Sequence, residues 1–245
     1  MDAQTQTPDI AAECLGVKVP ASGFLTDKRI ERINAAQYEG LEMAGALHVV
    51  GEDDVVLEIG AGIGLVGAVI AANAKPRAVQ SFEANPDLIP VIEQLYATNE
   101  LGGRINVTNQ VLVSAPERPE SIGFHIHNSY LGSSLIEPSN RQTREVQVPT
   151  ASFSEVCADL QPTVLVMDIE GGELEILRHA DLTPFRAMVL EFHPKAYGIG
   201  GMRECKTILR DAGFARIPEK STRTVWTCTR DAQPDSETDA GEAAA

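Results

Sequence analysis

Basic residues are in short supply in this chain. Its 245 residues carry 20 Lys plus Arg against 35 Asp plus Glu, a formal net charge of -15. A polyphosphate partner meets net repulsion over such a surface, so no nucleic-acid partner is expected. Part of the acidity sits in the last residues, where Asp231, Asp235, Glu237, Asp239 and Glu242 occur without a single base. Cysteine is sparse too. Cys14, Cys157, Cys205 and Cys228 lie far apart and make no Cys-x-x-Cys pair, which removes the signal for a zinc ribbon or a disulfide framework and fits a cytoplasmic, reducing location. Long apolar runs are missing, and Met1 to Pro8 are polar and acidic, so neither a membrane span nor a secretory leader is expected. The lone tryptophan, Trp226, reads as packing on an edge strand.

Hydrophobic content is nevertheless 43%, enough for a full core. Residues 1–25 mix Gln, Thr, Pro and Gly without a sustained period and are expected to be a flexible N-terminal segment; 231–245 are expected to be a disordered acidic tail. The domain is therefore placed at 26–230. Thr26 or Asp27 opens a helix carrying Ile30, Ile33, Tyr38, Leu41 and Ala44, with Gly40 a point at which it splits.

From there short apolar runs alternate with helical segments. The reading is strand 54–59, helix 62–73, strand 78–83, helix 86–99 and strand 104–113, then helix 151–160, strand 163–168, helix 172–180, strand 187–192, helix 200–212 and a closing pair at 213–218 and 223–229. This alternation predicts an α/β fold with a doubly wound, mostly parallel sheet of seven strands. Residues 121–149 break the rhythm, with extended Ile122–His127 and Val146–Val148 separated by turn formers, and are read as a β insertion before the fourth core strand.

Ligands of open parallel sheets sit beyond the carboxyl ends of the strands, near the point where strand order reverses. Glu58-Ile-Gly-Ala-Gly-Ile-Gly64 occupies that place, and glycines there let the backbone approach a ligand closely. Glu83 ends the next strand, where an acid accepts hydrogen bonds from ribose hydroxyls; Asn85 and Pro86 then start a helix. A second frame competes: Gly62-x-Gly64-x-x-Gly67 satisfies the dinucleotide pattern and keeps an NAD(P)-dependent oxidoreductase open, although it begins two residues late. Farther on, Asp168-Ile-Glu-Gly-Gly-Glu173 and Leu190-Glu-Phe-His-Pro194 end two more strands on the same crevice.

Through Glu58 to Gly64, Phe82-Glu-Ala-Asn-Pro86 and above all Asp168 to Glu173 followed by Leu177, residues 38–194 resemble the FkbM family of class I methyltransferases. Tyr38-Glu39, Asn99, Ser133-Ser134-Leu135 and Glu191 look like its recurring positions. Thr150-Ala151-Ser152 departs from the Thr-Leu-Asp often found there. The resemblance implies a Rossmann-like fold, S-adenosylmethionine as cofactor and O-methylation of a hydroxyl on a small-molecule or sugar acceptor. Glu58, Gly60, Ala61, Gly62, Gly64, Glu83, Ala84, Asn85 and Asp168 become candidates for cofactor binding. Asp168, Glu170, Glu191 and His193 become candidates for catalysis, since clustered acids raise one another's pKa values.

A plainer reading leaves Asp168 as a helix cap and Glu170 and Glu173 as complements to a helix dipole. His125, His127 and His193 invite a metal, but two histidines on a polar strand face and a base-driven mechanism make none expected. Ser133 and Ser134 lack a nucleophile elbow and read as turn residues. A catalytically silent module that binds a nucleoside or a protein is the third reading.

Overall fold

The computed structural model describes residues 8–127 and 143–230. Seven strands form its central sheet: β3 (Val55–Ile59), β4 (Ala78–Phe82), β5 (Ile105–Thr108), β9 (Val164–Met167), β10 (Ala187–Glu191), β11 (Ala215–Arg216) and β12 (Val225–Thr229), in the order β11-β12-β10-β9-β3-β4-β5. The five strands from β10 to β5 are parallel, and β12 runs antiparallel between β10 and β11. Order reverses at β3, whose neighbours are β4 and β9, so a crevice opens beyond its carboxyl end.

Strand side chains alternate between two cores. Val56, Val164, Val166 and Val189 join one apolar cluster, while Leu57, Leu165, Met167, Met188 and Leu190 join the other. Burial on both faces explains why these strands read as continuous apolar runs. The first cluster takes in α2 (Gly40–Val49), α3 (Leu65–Asn73) and α4 (Ile89–Thr98). The second takes in α5 (Phe153–Leu160), α6 (Glu173–His179) and α7 (Pro194–Asp211). The helix expected from Thr26 is split, with α1 spanning Asp27–Asn34 and α2 starting at Gly40, because Ala36 (φ 52°) and Glu39 (φ 48°) take the left-handed conformation between them.

Three boundaries depart from the sequence reading. Within the segment expected to be loose, β1 (Ile10–Cys14) and β2 (Val17–Pro20) form a hairpin that buries Ala12, Cys14, Val17 and Val19. Its turn is Leu15-Gly16, both at positive φ, and Asn99 clamps it by donating to the Lys18 carbonyl (2.7 Å) and accepting from the Lys18 N–H (2.8 Å). Small side chains on a short ribbon give too weak a period to announce it. The strand expected at 104–113 is two: β5 ends at Thr108, and β6 (Val111–Val113) leaves the main sheet to pair with β8 (Thr143–Ser152). Helix α7 begins at Pro194 rather than at 200, interrupted at Gly198 (φ 76°, ψ 167°).

The expected β insertion is present. β7 (Ser121–His127) pairs antiparallel with β8, and β6, β8 and β7 form a small second sheet. Ser133, Ser134 and the tail 231–245 lie outside the described residues.

Candidate active site

A cleft of about 360 Å³ opens beyond β3, β4 and β9. Its floor is the glycine loop. Gly60 (φ 88°) and Gly62 (φ 56°) take conformations that L side chains rarely adopt, and a Cβ on Gly60 would stand 1.8 Å from the Asp168 carbonyl oxygen. The loop is thereby locked against the end of β9. Across the floor, the Glu83 carboxylate accepts from the Gly62 N–H (2.8 Å) and the Asn85 N–H (2.7 Å). Asn85 Oδ1 accepts from the Asp87 N–H (3.0 Å), a turn that leads the chain into α4, while Asn85 Nδ2 is buried without a hydrogen-bond partner. Burial pushes Glu83 up to about 7.

Apolar walls rise above this floor from Ile59, Phe82 and Leu88, from β6 through Val111 and Val113, and from β7 through Ile122 and Phe124. Asn109 ties the loop after β5 to the end of β4 by donating to the carbonyls of Glu83 and Ala84. The insertion thus covers one end of the cleft, and Arg144 on β8 pairs with Asp87 beside α4 at 2.6 Å.

The opposite end is acidic. Asp168 and Glu170 line it, followed by a reversal at Glu170 (φ 53°) and Gly171 (φ 119°) that turns the chain into α6. Glu173, fully buried, accepts from the Gly171 N–H and lies 2.7 Å through Oε1 from His193 Nδ1. His193 Nε2 is 3.5 Å from both Asp168 Oδ1 and Glu170 Oε2. Asp168 Oδ1 and Glu173 Oε2 are buried without a hydrogen-bond partner. Burial raises the Asp168 pKa, helped by the charges of Glu191 and Glu39. Burial also lifts Glu191 to about 7, with Glu42 adding to it. For His193 burial works downward, but the hydrogen bond and charge of Glu173, with Asp168 and Glu170, outweigh it and lift the imidazole to about 9.

Gly172 occupies the N-cap of α6 and no side chain caps that helix, so Asp168 is not its cap; Glu173 does stand in the first turn of α6, and there it is also the buried partner of His193.

Of the residues singled out from sequence, Gly60, Gly62, Glu83, Ala84, Asn85, Asp168 and Glu170 line the cleft. His193 stands behind Asp168 and Glu170, and Glu191 ends β10 beside them. Glu58, Ala61 and Gly64 are not part of the lining. Glu58 is buried beneath the loop, where Ser81 Oγ donates to its carboxylate and burial pushes it up to about 7. A Cβ on Gly67 would sit 2.4 Å from Glu58 Oε2, and one on Gly64 2.8 Å from Ile92 Cγ2. Two of the three glycines in the dinucleotide frame therefore have packing reasons to be glycine.

Glu39 was named among recurring positions but not as a site residue. It lines the cleft at the head of α2, pushed up to about 8 by burial and by the charges of Glu42, Glu58 and Glu191. Its left-handed φ before Gly40 is what aims it there. The wall residues of β6 and β7 carried no sequence signal beyond being apolar.

Residues 58–215 match the methyltransferase FkbM domain model, well over half of the chain. The chain belongs to the FkbM methyltransferase family. No curated protein matches it. Among solved structures, this methyltransferase is similar to M. capricolum TrmK in complex with S-adenosyl-homocysteine (8% identity, 80% of this chain and 71% of that one, TM-score 0.47). It is also similar to a precorrin-6y C5,15-methyltransferase from Geobacter metallireducens (16% identity, 85% of this chain and 90% of that one, TM-score 0.46). Among the described residues of the methyltransferase no helix is long and apolar enough to cross a membrane.

Proposed function

We propose that this methyltransferase uses S-adenosylmethionine to methylate a hydroxyl on a small molecule or sugar. The observation that carries the reading is the Glu83 carboxylate, buried at the strand end and held by the Gly62 and Asn85 N–H groups. Each of its oxygens keeps a lone pair free, as a ribose diol requires. The apolar walls suit a purine, and the acids beyond Gly60 suit a positively charged sulfonium and amino group. The residues present therefore fit the cofactor, which when bound supplies an activated methyl group. Packing roles for Gly64 and Gly67 weigh against the oxidoreductase reading.

The protein's own part is alignment, exclusion of water and removal of one proton from the acceptor hydroxyl. A base works best with a pKa near the ambient pH, and Glu191 at about 7 meets that condition. Asp168, raised by burial, and Glu170 line the cleft itself, and Glu191 ends β10 beside them. With no ion bound, His193 at about 9 carries its proton at neutral pH and is the cation facing Asp168, Glu170 and Glu173.

The test is an untargeted screen with labelled methyl donor against small-molecule extracts, followed by Glu191→Gln, Glu170→Gln and Asp168→Asn on the acceptor found. Loss of turnover by about 100-fold or more in one of them is expected. Near-native turnover in all three under saturating cofactor removes the carboxylates from proton transfer.

A further inference from the structure

We propose that Asp168, Glu173 and His193 form a binding site for a divalent cation of the Mn²⁺ type at the acidic end of the cleft. One ligand atom from each residue lies within 4.8 Å of the other two. Ligand atoms on opposite sides of an ion with bonds of about 2.1 Å are roughly 4.2 Å apart, so small side-chain rotations close the set. Asp168 Oδ1, buried and without a hydrogen-bond partner, faces His193 Nε2 at 3.5 Å. Glu173, none of whose surface is exposed, leaves Oε2 without a partner while Oε1 fixes the imidazole. Unpartnered buried carboxylate oxygens are costly, and an ion among them gives both a partner. Two carboxylates and one imidazole are a mixed hard and borderline donor set, which Mn²⁺ accepts.

The backbone builds this convergence. The left-handed turn at Glu170 and Gly171 folds Asp168 and Glu173 back toward one another, and β10 delivers His193 between them. Glu170 Oε2 stands 3.5 Å from the same imidazole nitrogen on the cleft side, where water or an acceptor oxygen completes the shell. The site differs from the one that sequence invited and set aside: His125 lies on β7 opposite Glu145 and does not join the convergent group. The ion's use in activating an acceptor hydroxyl rests on the methyl-transfer reading; its binding does not.

The experiment titrates the full chain with MnCl₂ alone, at pH 7.5 and without methyl donor or acceptor, reading free Mn²⁺ and nitrogen hyperfine coupling by electron paramagnetic resonance. One tight ion per chain is expected, coupled to an imidazole nitrogen, with binding weakened at least tenfold in Asp168→Asn and Glu173→Gln and the coupling lost in His193→Gln. Because the wild-type coupling is itself diagnostic, a variant that misfolds does not blunt the test. Absence of a stoichiometric ion, an ion without nitrogen coupling, or undiminished binding in folded Asp168→Asn overturns the site. Any of these leaves cofactor binding, measured separately, untouched.

Discussion

The two ends of one parallel sheet treat their acids in opposite ways. At the amino end Asp54 is nearly fully buried, yet it accepts from Arg186 Nε (2.8 Å), from Thr163 Oγ1 (2.7 Å) and from the Gly51 N–H (2.7 Å). Burial alone would raise its pKa, but Arg186, Gly51 and Thr163 together hold it below the usual carboxylate range. At the carboxyl end Glu39, Glu58, Glu83 and Glu191 are all pushed up to about 7 or 8 by burial, and three acids share the single imidazole of His193. One end is satisfied internally. The other holds carboxyls whose ionisation burial suppresses and a cationic ligand would restore.

The harshest way to break this contrast is Gly60→Ala. The added Cβ collides with a backbone carbonyl that cannot step aside, at a φ that alanine resists, so a loss of about 4 kcal/mol is expected in a urea melt. Cofactor affinity should vanish with it.

Next comes pH. The four raised glutamates stay protonated in the fold above their unfolded value of about 4.3, so between roughly pH 4.5 and 8 the folded chain holds more protons and stability falls as pH rises. His193 acts in the same direction, since stabilisation by its raised pKa is complete below about 6.5 and lost as pH rises through about 9. Asp54 runs the other way: its contribution is present above about 3.9 and lost as pH falls through its depressed folded value. The ligand-free protein should therefore melt highest near pH 5 and lose stability steadily between pH 5 and pH 8. A flat profile over that range would mean that the acids are not strained.

Smaller effects sharpen the comparison. Arg186→Ala leaves Asp54 buried without its partner and should cost about 2 kcal/mol, discounted from a fully buried pair because Arg186 is partly exposed. Glu191→Gln removes one member of the crowded end and should leave stability unchanged or raise it by about 0.5 kcal/mol at pH 8. Differential scanning calorimetry of the two variants side by side gives both signs.

Much of this was legible in the residues, and the parts that were not have two causes. The core strands announce themselves because both faces are buried, and Glu83 and Asp168 because they end such strands. Strand alternation does not say whether an acid beside a glycine loop points over it or beneath it; Glu58 points beneath, and Gly67, whose missing Cβ makes room for that carboxylate, is the mark of it. Glu173 reads as a first-turn helix acid, which it is, but its partner His193 stands at the N-cap of α7 twenty residues later and leaves no local mark. The hairpin at 10–20 escaped because its buried face is built from Ala12, Cys14, Val17 and Val19, too small to print a strong period. Contacts between elements distant in the chain decide the first two, and side-chain size the third.

The most direct measurement is isothermal titration of the purified chain with S-adenosylmethionine, S-adenosylhomocysteine and NAD⁺, repeated with Glu83→Gln. One site for each of the first two, none for NAD⁺ and an affinity lowered about tenfold or more by the substitution are predicted. Binding of NAD⁺ in place of the methyl donor, or donor binding indifferent to Glu83, would contradict the account.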